Sequence, residues 1–138
     1  PVITQTAIGK IPKMVIYGSD YDTRDGSCIR DYIHVMDIAN AHTRALQYLI
    51  KAKNSSKLEV FNLGTGNGVT VLEAVHAFEK VSGRKLNYEM GPRRPGDVVA
   101  IYADNSHARK MLGWEIHYDI EAMMSTAWKW ELKLAQKA

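Results

Sequence analysis

Cysteine occurs once in the 138 residues, at Cys28, so no disulfide closes within the chain and no cysteine-based zinc cluster is available. No apolar run reaches the roughly 18 residues of a membrane-spanning helix. Lys10 and Pro12 break the opening segment before a signal-peptide core is built. Together these absences favour a reducing, cytoplasmic setting without membrane contact. An excess of one charge sign is also missing. The 18 Lys and Arg residues are interspersed with 15 Asp and Glu, and the only adjacent basic pairs are Arg84-Lys85, Arg93-Arg94 and Arg109-Lys110. That is too thin for a nucleic-acid surface. His42, His76, His107 and His117 show no metal-ligand spacing. There are no internal repeats and no low-complexity tracts.

The length is that of one domain, and a 46% apolar content is ordinary for a globular chain. The chain opens on Pro1-Val2-Ile3-Thr4 with the apolar spacing of a helix tail and no cap before it. That reads as a trimmed piece, or as removal of an initiator Met ahead of Pro. Met14–Tyr17 reads as a strand closed by Gly18, and Asp25-Gly26 as a turn or hairpin signal. Asp37 is expected to cap a helix reaching about Ala52, with Ile38, Ala41, Ala45, Leu49 and Ala52 as its apolar stripe. Leu58–Leu63 and Leu86–Met90 read as strands, and Val98–Ala103 as extended. Thr70 and Glu73 form a capping-box pattern opening a helix that ends at Gly83. Asp104 or Asn105 caps a short helix ending at Gly113, and Asp119 caps the last one. Trp114, Trp128 and Trp130 read as packing residues. This order defines a small, irregular α/β unit with short strands.

The chain is organised around Cys28–Asp37, where a strand-like alternation gives way to a helical one. A two-residue period puts Arg30, Tyr32 and His34 on one face, and polar heads on an apolar strand need partners, from protein or ligand. The first candidate partner is an anionic, ring-bearing small molecule. Arg94, beside Arg93 in the rigid loop Gly91-Pro92-Arg93-Arg94-Pro95-Gly96-Asp97, presents a planar fork suited to two phosphate oxygens. Arg30 and Arg94 could clamp a diphosphate from two sides, or pair instead with Asp31 or Asp97. Asp97 could accept a ribose hydroxyl or hold Arg94 in register. Tyr32 could donate to a phosphate or be a buried, satisfied phenol. His34 with Asp37 has the look of a base and its orienter, although a local structural hydrogen bond explains His34 as well. Gly64-Thr65-Gly66-Asn67-Gly68 lacks the third glycine of a dinucleotide fingerprint and reads better as a tight strand-to-helix turn.

Tyr17-Gly18-Ser19-Asp20-Tyr21, Asp25-Gly26, Arg30-Asp31-Tyr32-Ile33-His34-Val35 with Asp37, Asn62-Leu63-Gly64 with Gly66, Arg93-Arg94-Pro95-Gly96-Asp97, Leu112-Gly113-Trp114 and Trp128 with Trp130 carry a specific resemblance. Together they resemble the carboxy-terminal part of the UDP-glucose 4-epimerase (UDP-galactose 4-epimerase) family, within the extended short-chain dehydrogenase/reductases. The resemblance runs over almost the whole chain. It implies that residues 1–138 form the small mixed α/β substrate-binding lobe of a Rossmann-fold epimerase, with the last strands and helices, the Rossmann nucleotide-binding half lying in a preceding segment. By the same resemblance Arg30 and Arg94 bind the diphosphate and Tyr32 a phosphate, and Asp97 meets the uridine ribose. The backbone around Val15 and Tyr17 addresses the uracil, and Ile101 tunes room for N-acetylated sugars.

The implied protein is a cytoplasmic homodimer holding NAD and acting on UDP-glucose and UDP-galactose. A related dehydratase, decarboxylase or uronate epimerase would use the same clamp, and a non-catalytic nucleotide-sugar-binding module would retain it without chemistry. No Tyr is followed four residues later by Lys, so the family's catalytic pair is absent from these residues. The chain alone is therefore expected to be inactive, and prone to aggregate or fold only in part.

Overall fold

A computed structural model describes residues 1–136 as two unequal cores joined by short strands and crossing loops. The larger core forms where helix α1 (Val2–Ala7), strand β1 (Met14–Tyr17), helix α3 (Val71–Ser82) and helix α5 (Ile120–Ala135) meet. Met14 and Ile16 point inward from β1 and meet Val75 and Phe78 of α3 and Trp128 of α5. Phe78 and Trp128 pack edge to face at 5.5 Å. Burial of such side chains supplies about 1.5–3 kcal/mol each, enough to fix how α3 and α5 cross. The smaller core joins helix α2 (Val35–Ile50) to helix α4 (Ser106–Leu112) through Ala41, Ala108 and Trp114.

Strand β4 (Tyr88–Gly91) lies parallel to β1, with Met14 opposite Tyr88 and Tyr17 opposite Gly91. Met14 N and Gly18 N donate to Asn87 O and Gly91 O. The two-residue period of the ladder therefore turns the amide groups of Val15 and Tyr17 away from β4. Strand β2 (Ile29–Arg30) pairs antiparallel with β3 (Val69–Thr70). Ile29 also bridges to Ala100: Ile29 N donates to Val99 O, and Ile101 N to Ile29 O. The expected extended run of 98–103 is held locally in this way.

Three expectations give way. Leu58–Leu63 forms no strand; no neighbour supplies ladder hydrogen bonds, and Leu58 and Val60 stay exposed while Phe61 and Leu63 pack on the smaller core. α2 is capped by His34, whose Nδ1 accepts from Met36 N at 3.1 Å, and not by Asp37. Asp37 lies inside the first turn, where its buried carboxylate accepts from His117 N and Tyr118 N, each at 3.2 Å. Trp130 is exposed, whereas Trp114 and Trp128 are core residues. The capping box of α3 and the Asp119 cap of α5 form as the sequence predicts.

Candidate nucleotide-diphosphate site

An open groove of about 1240 Å³ runs past β1, the segment 31–36, the start of α1 and the middle of α5. Its lining is largely apolar. Charge enters at Lys13, Asp31, Arg94 and Asp97.

The loop from Gly91 to Asp97 brings Arg94 back over β1. Its guanidinium lies 4.6 Å from the centre of the Tyr17 ring, and its Nε and Nη2 donate to Asp97 Oδ2 and Oδ1 at 3.0 and 3.3 Å. Arg30 arrives from β2. Its Nη1 donates to Ile29 O at 2.8 Å and Val98 O at 2.9 Å, and its Nη2 reaches Asp97 Oδ1 at 3.5 Å. Two cations separated by 64 positions thus converge on one carboxylate, leaving a net charge of +1 among the three. Hydrogen bonding to Asp97 holds the Arg94 guanidinium even more firmly protonated than usual. The Arg94 side chain is 58% exposed against 25% for Arg30, so Arg94 is the more reachable member.

Tyr32 packs against the larger core and lines the groove; burial pushes its phenol up, so the hydroxyl remains a donor at neutral pH. Val15 and Tyr17 also line the groove, on the ladder-free edge of β1. Ile101 is 60% exposed and does not line it. The structure puts Tyr32, Arg94, Asp97, Tyr17 and Val15 on the groove, brings Arg30 to its edge only through Asp97, and leaves Ile101 apart.

The expected strand alternation stops at Arg30, because a ladder partner exists only for Ile29 and Arg30. His34 turns inward, its Nε2 2.9 Å from Thr126 Oγ1 and its ring stacked on Tyr118 at 4.3 Å. With Asp37 pointed at residues 117 and 118, the base-and-orienter pair does not form. Asp31 pairs with neither arginine. Its carboxylate accepts from Thr65 N, Thr65 Oγ1 and Ala103 N at 2.9, 2.7 and 2.9 Å, so it staples three segments together.

Two features went unread in the sequence. Tyr17 offers its ring to Arg94 as well as its backbone to the groove. Val2, Val35, Met36 and Trp130 give the groove an apolar lining, of which the sequence reading assigns Trp130 to packing and Val35 to a strand face. The spacing of Tyr17 and Tyr21 around Gly18 was the available signal for the first.

The glycine loop 64–68 faces the protein. A Cβ on Gly64 would lie 2.1 Å from Asp31 Oδ2, and one on Gly68 2.1 Å from Ile29 Cγ2. These glycines admit protein neighbours, so the loop is no dinucleotide cradle, and no hydride step can be assigned to it.

Two arginines converging on one carboxylate beside an apolar groove make a candidate anion site on a mixed α/β lobe. Residues 1–127 match the family model described as GDP-mannose 4,6 dehydratase, and the chain belongs to that family. Within it, the chain is similar to the carboxy-terminal part of UDP-glucose 4-epimerases. The UDP-glucose 4-epimerase of Pisum sativum is 50% identical over 130 residues, covering 94% of this chain and 37% of that protein. The crystal structure of UDP-glucose 4-epimerase from Stenotrophomonas maltophila, with NAD and formylated UDP-arabinopyranose bound, superposes with a TM-score of 0.93 at 42% identity, over 99% of this chain and 40% of that one. That from Bifidobacterium longum, in complex with NAD+ and UDP, gives 0.89 at 40% identity, over 99% and 39%. The chain thus spans about two-fifths of the length of the proteins it matches.

Proposed function

We propose that residues 1–138 are the UDP-sugar-binding domain of a UDP-glucose 4-epimerase, which inverts C4 of UDP-glucose and UDP-galactose through transient oxidation by NAD. The observation that carries this reading is the convergence of Arg30 and Arg94 at Asp97 beside the groove. A diphosphate competes with Asp97 for the same N–H donors, and the arginines meet its oxygens as charge-assisted forks. The Tyr32 hydroxyl donates to a phosphate oxygen, the free amide edge at Val15 and Tyr17 suits the uracil, and Asp97 accepts a ribose hydroxyl. Ile101 keeps a role in sugar specificity only if its segment turns toward the groove on binding.

Epimerisation asks for firm hold of the nucleotide with freedom for the hexose, because the keto sugar must turn between hydride removal and return. Binding energy concentrated on the pyrophosphate serves both needs. The catalytic Tyr-Lys pair and the NAD-holding residues lie outside these 138 residues, in a cytoplasmic homodimer. The chain alone is inactive. The name of the family model favours one second reading, a nucleotide-sugar 4,6-dehydratase using the same clamp. Assay of the full polypeptide with UDP-glucose separates the two, since UDP-galactose appears in one case and a 4-keto-6-deoxy sugar in the other.

The direct test of the clamp is calorimetry with UDP on the full polypeptide carrying this sequence. Arg94→Ala is expected to weaken UDP by about 10- to 100-fold, the loss of one or two charged hydrogen bonds. Wild-type protein that binds no UDP would sink the reading.

A further inference from the structure

The two neighbouring arginines of the Gly91–Asp97 loop part company. Arg94 leans over Tyr17 towards Asp97. Arg93 turns the other way: its Nε donates to Asp20 Oδ1 at 2.7 Å, its Nη2 to Asp20 O, and its guanidinium sits 4.2 Å above the centre of the Tyr21 ring. Each arginine therefore has one aromatic face and one carboxylate, and both faces come from Tyr17-Gly18-Ser19-Asp20-Tyr21.

This platform is built to be stiff. The Tyr21 ring is 4% exposed and fills the space beside Gly18, where a Cβ would lie 2.2 Å from Tyr21 Cε2. Tyr21 N donates to Gly26 O, and Thr23 Oγ1 to Ser27 O, so the loop is closed on itself from residue 21 to 27. Gly18 N donates to Gly91 O, which ties the roots of the two loops together. Beyond Gly91, Arg93 ties the arginine loop to Asp20 and Tyr21. Without it, the loop between Gly91 and Asp97 is held by the Arg94 stack on Tyr17 and by the contacts of Asp97 with Arg94 and Arg30, and a diphosphate must open the latter.

We propose that Arg93 is a positioning residue for the nucleotide site: it pins the loop to the Asp20–Tyr21 platform so that Arg94 keeps its place when Asp97 releases it to a phosphate. The inference rests on the UDP-binding reading above. Arg93 itself takes no part in the phosphate contact, because it turns to Asp20 and, unlike Arg94, does not line the groove.

The test is a double-mutant cycle on the full polypeptide, with UDP measured by calorimetry and uridine by ligand-observed NMR. Arg93→Ala is expected to weaken UDP about tenfold and to leave uridine within about twofold, since only the phosphate-facing arginine loses its support. Arg93→Ala with Arg94→Ala is expected to bind UDP no more weakly than Arg94→Ala alone. Asp20→Ala, which removes the side-chain acceptor and leaves the Asp20 carbonyl and the Tyr21 face, is expected to reproduce part of the UDP loss should the Arg93 variant fold poorly. Arg93→Lys, which keeps the charge but not the planar stack, falls between wild type and Ala. Equal losses for UDP and uridine, or additive losses in the cycle, would overturn the proposal while leaving the nucleotide reading intact. Absence of UDP binding by the wild type would remove that reading, and this inference with it.

Discussion

Arg94 and Arg30 do different work because their surroundings differ. Both protons of Arg30 Nη1 face the carbonyls of Ile29 and Val98, so its position is set by the backbone it shares with β2. Arg94 is held only by Asp97 and the Tyr17 face, and can exchange one partner for another. Lysine at position 94 would keep the charge and lose the fork. Arg94→Lys is therefore expected to bind UDP about tenfold more weakly than wild type, read by calorimetry. At Gly18 the backbone has φ +82° and the Tyr21 ring leaves no room for a methyl group. Gly18→Ala is expected to cost at least about 1 kcal/mol in urea unfolding, from backbone strain and from displacement of that ring. Much of this scale was legible in the sequence. An arginine in a Pro/Gly loop and a second on a polar strand face already pointed to an anion. The Arg94–Asp97 pair, three residues apart, was among the readings the sequence offered, but the choice between Asp31 and Asp97 for Arg30 was not legible. Only the tertiary path sends Asp31 to Thr65 and Ala103 and leaves Asp97 at the site.

At the scale of elements, the caps of α3 and α5 and strand β1 form as read, whereas the cap of α2 and the strand at Leu58–Leu63 do not. A cap is decided within four residues, as at Thr70 with Glu73, whereas a strand needs a partner that sequence does not name. His34 displaced Asp37 as the cap of α2 because the buried carboxylate of Asp37 is committed to residues 117 and 118, a contact 80 positions away. The start of α3 carries two expectations. Thr70 Oγ1 accepts from Glu73 N at 3.0 Å and donates to Asp25. Thr70→Ala removes both, and is expected to lower stability by about 1–2 kcal/mol in urea unfolding. Glu73 answers with its own carboxylate, held down from 4.5 to about 2, first by hydrogen bonding to Arg24 and, among its other partners, by the Thr70 amide. A carboxyl lowered in the folded chain stabilises it fully above pH 4.5 and loses that contribution as the pH falls towards 2. Glu73→Gln is expected to flatten the melting temperature across that window, where wild type declines. Added salt should shrink the difference, because the ion pair is exposed.

At the scale of the whole molecule, Arg30, Arg94 and Asp97 meet where several segments close together. β1, β2 and the loop after β4 each bring one part, and the segment 98–103 depends on Ile29 of β2 and on Asp31 for its place. That dependence explains why the fold class was legible while the groove was not: helical stripes show which residues avoid water, not which of them stay uncovered. Val2, Val35, Met36 and Trp130 are 50%, 71%, 53% and 59% exposed, and all four line the same groove. Contiguous exposed apolar surface of this kind drives association in water. The 138-residue chain purified by itself is expected to self-associate with rising concentration in sedimentation velocity, and Met36→Glu with Trp130→Glu is expected to restore a monomer without lowering its melting temperature. A wild-type chain that stays monomeric across the concentration range and melts in one sharp transition would show instead that the two cores suffice to keep this face in water.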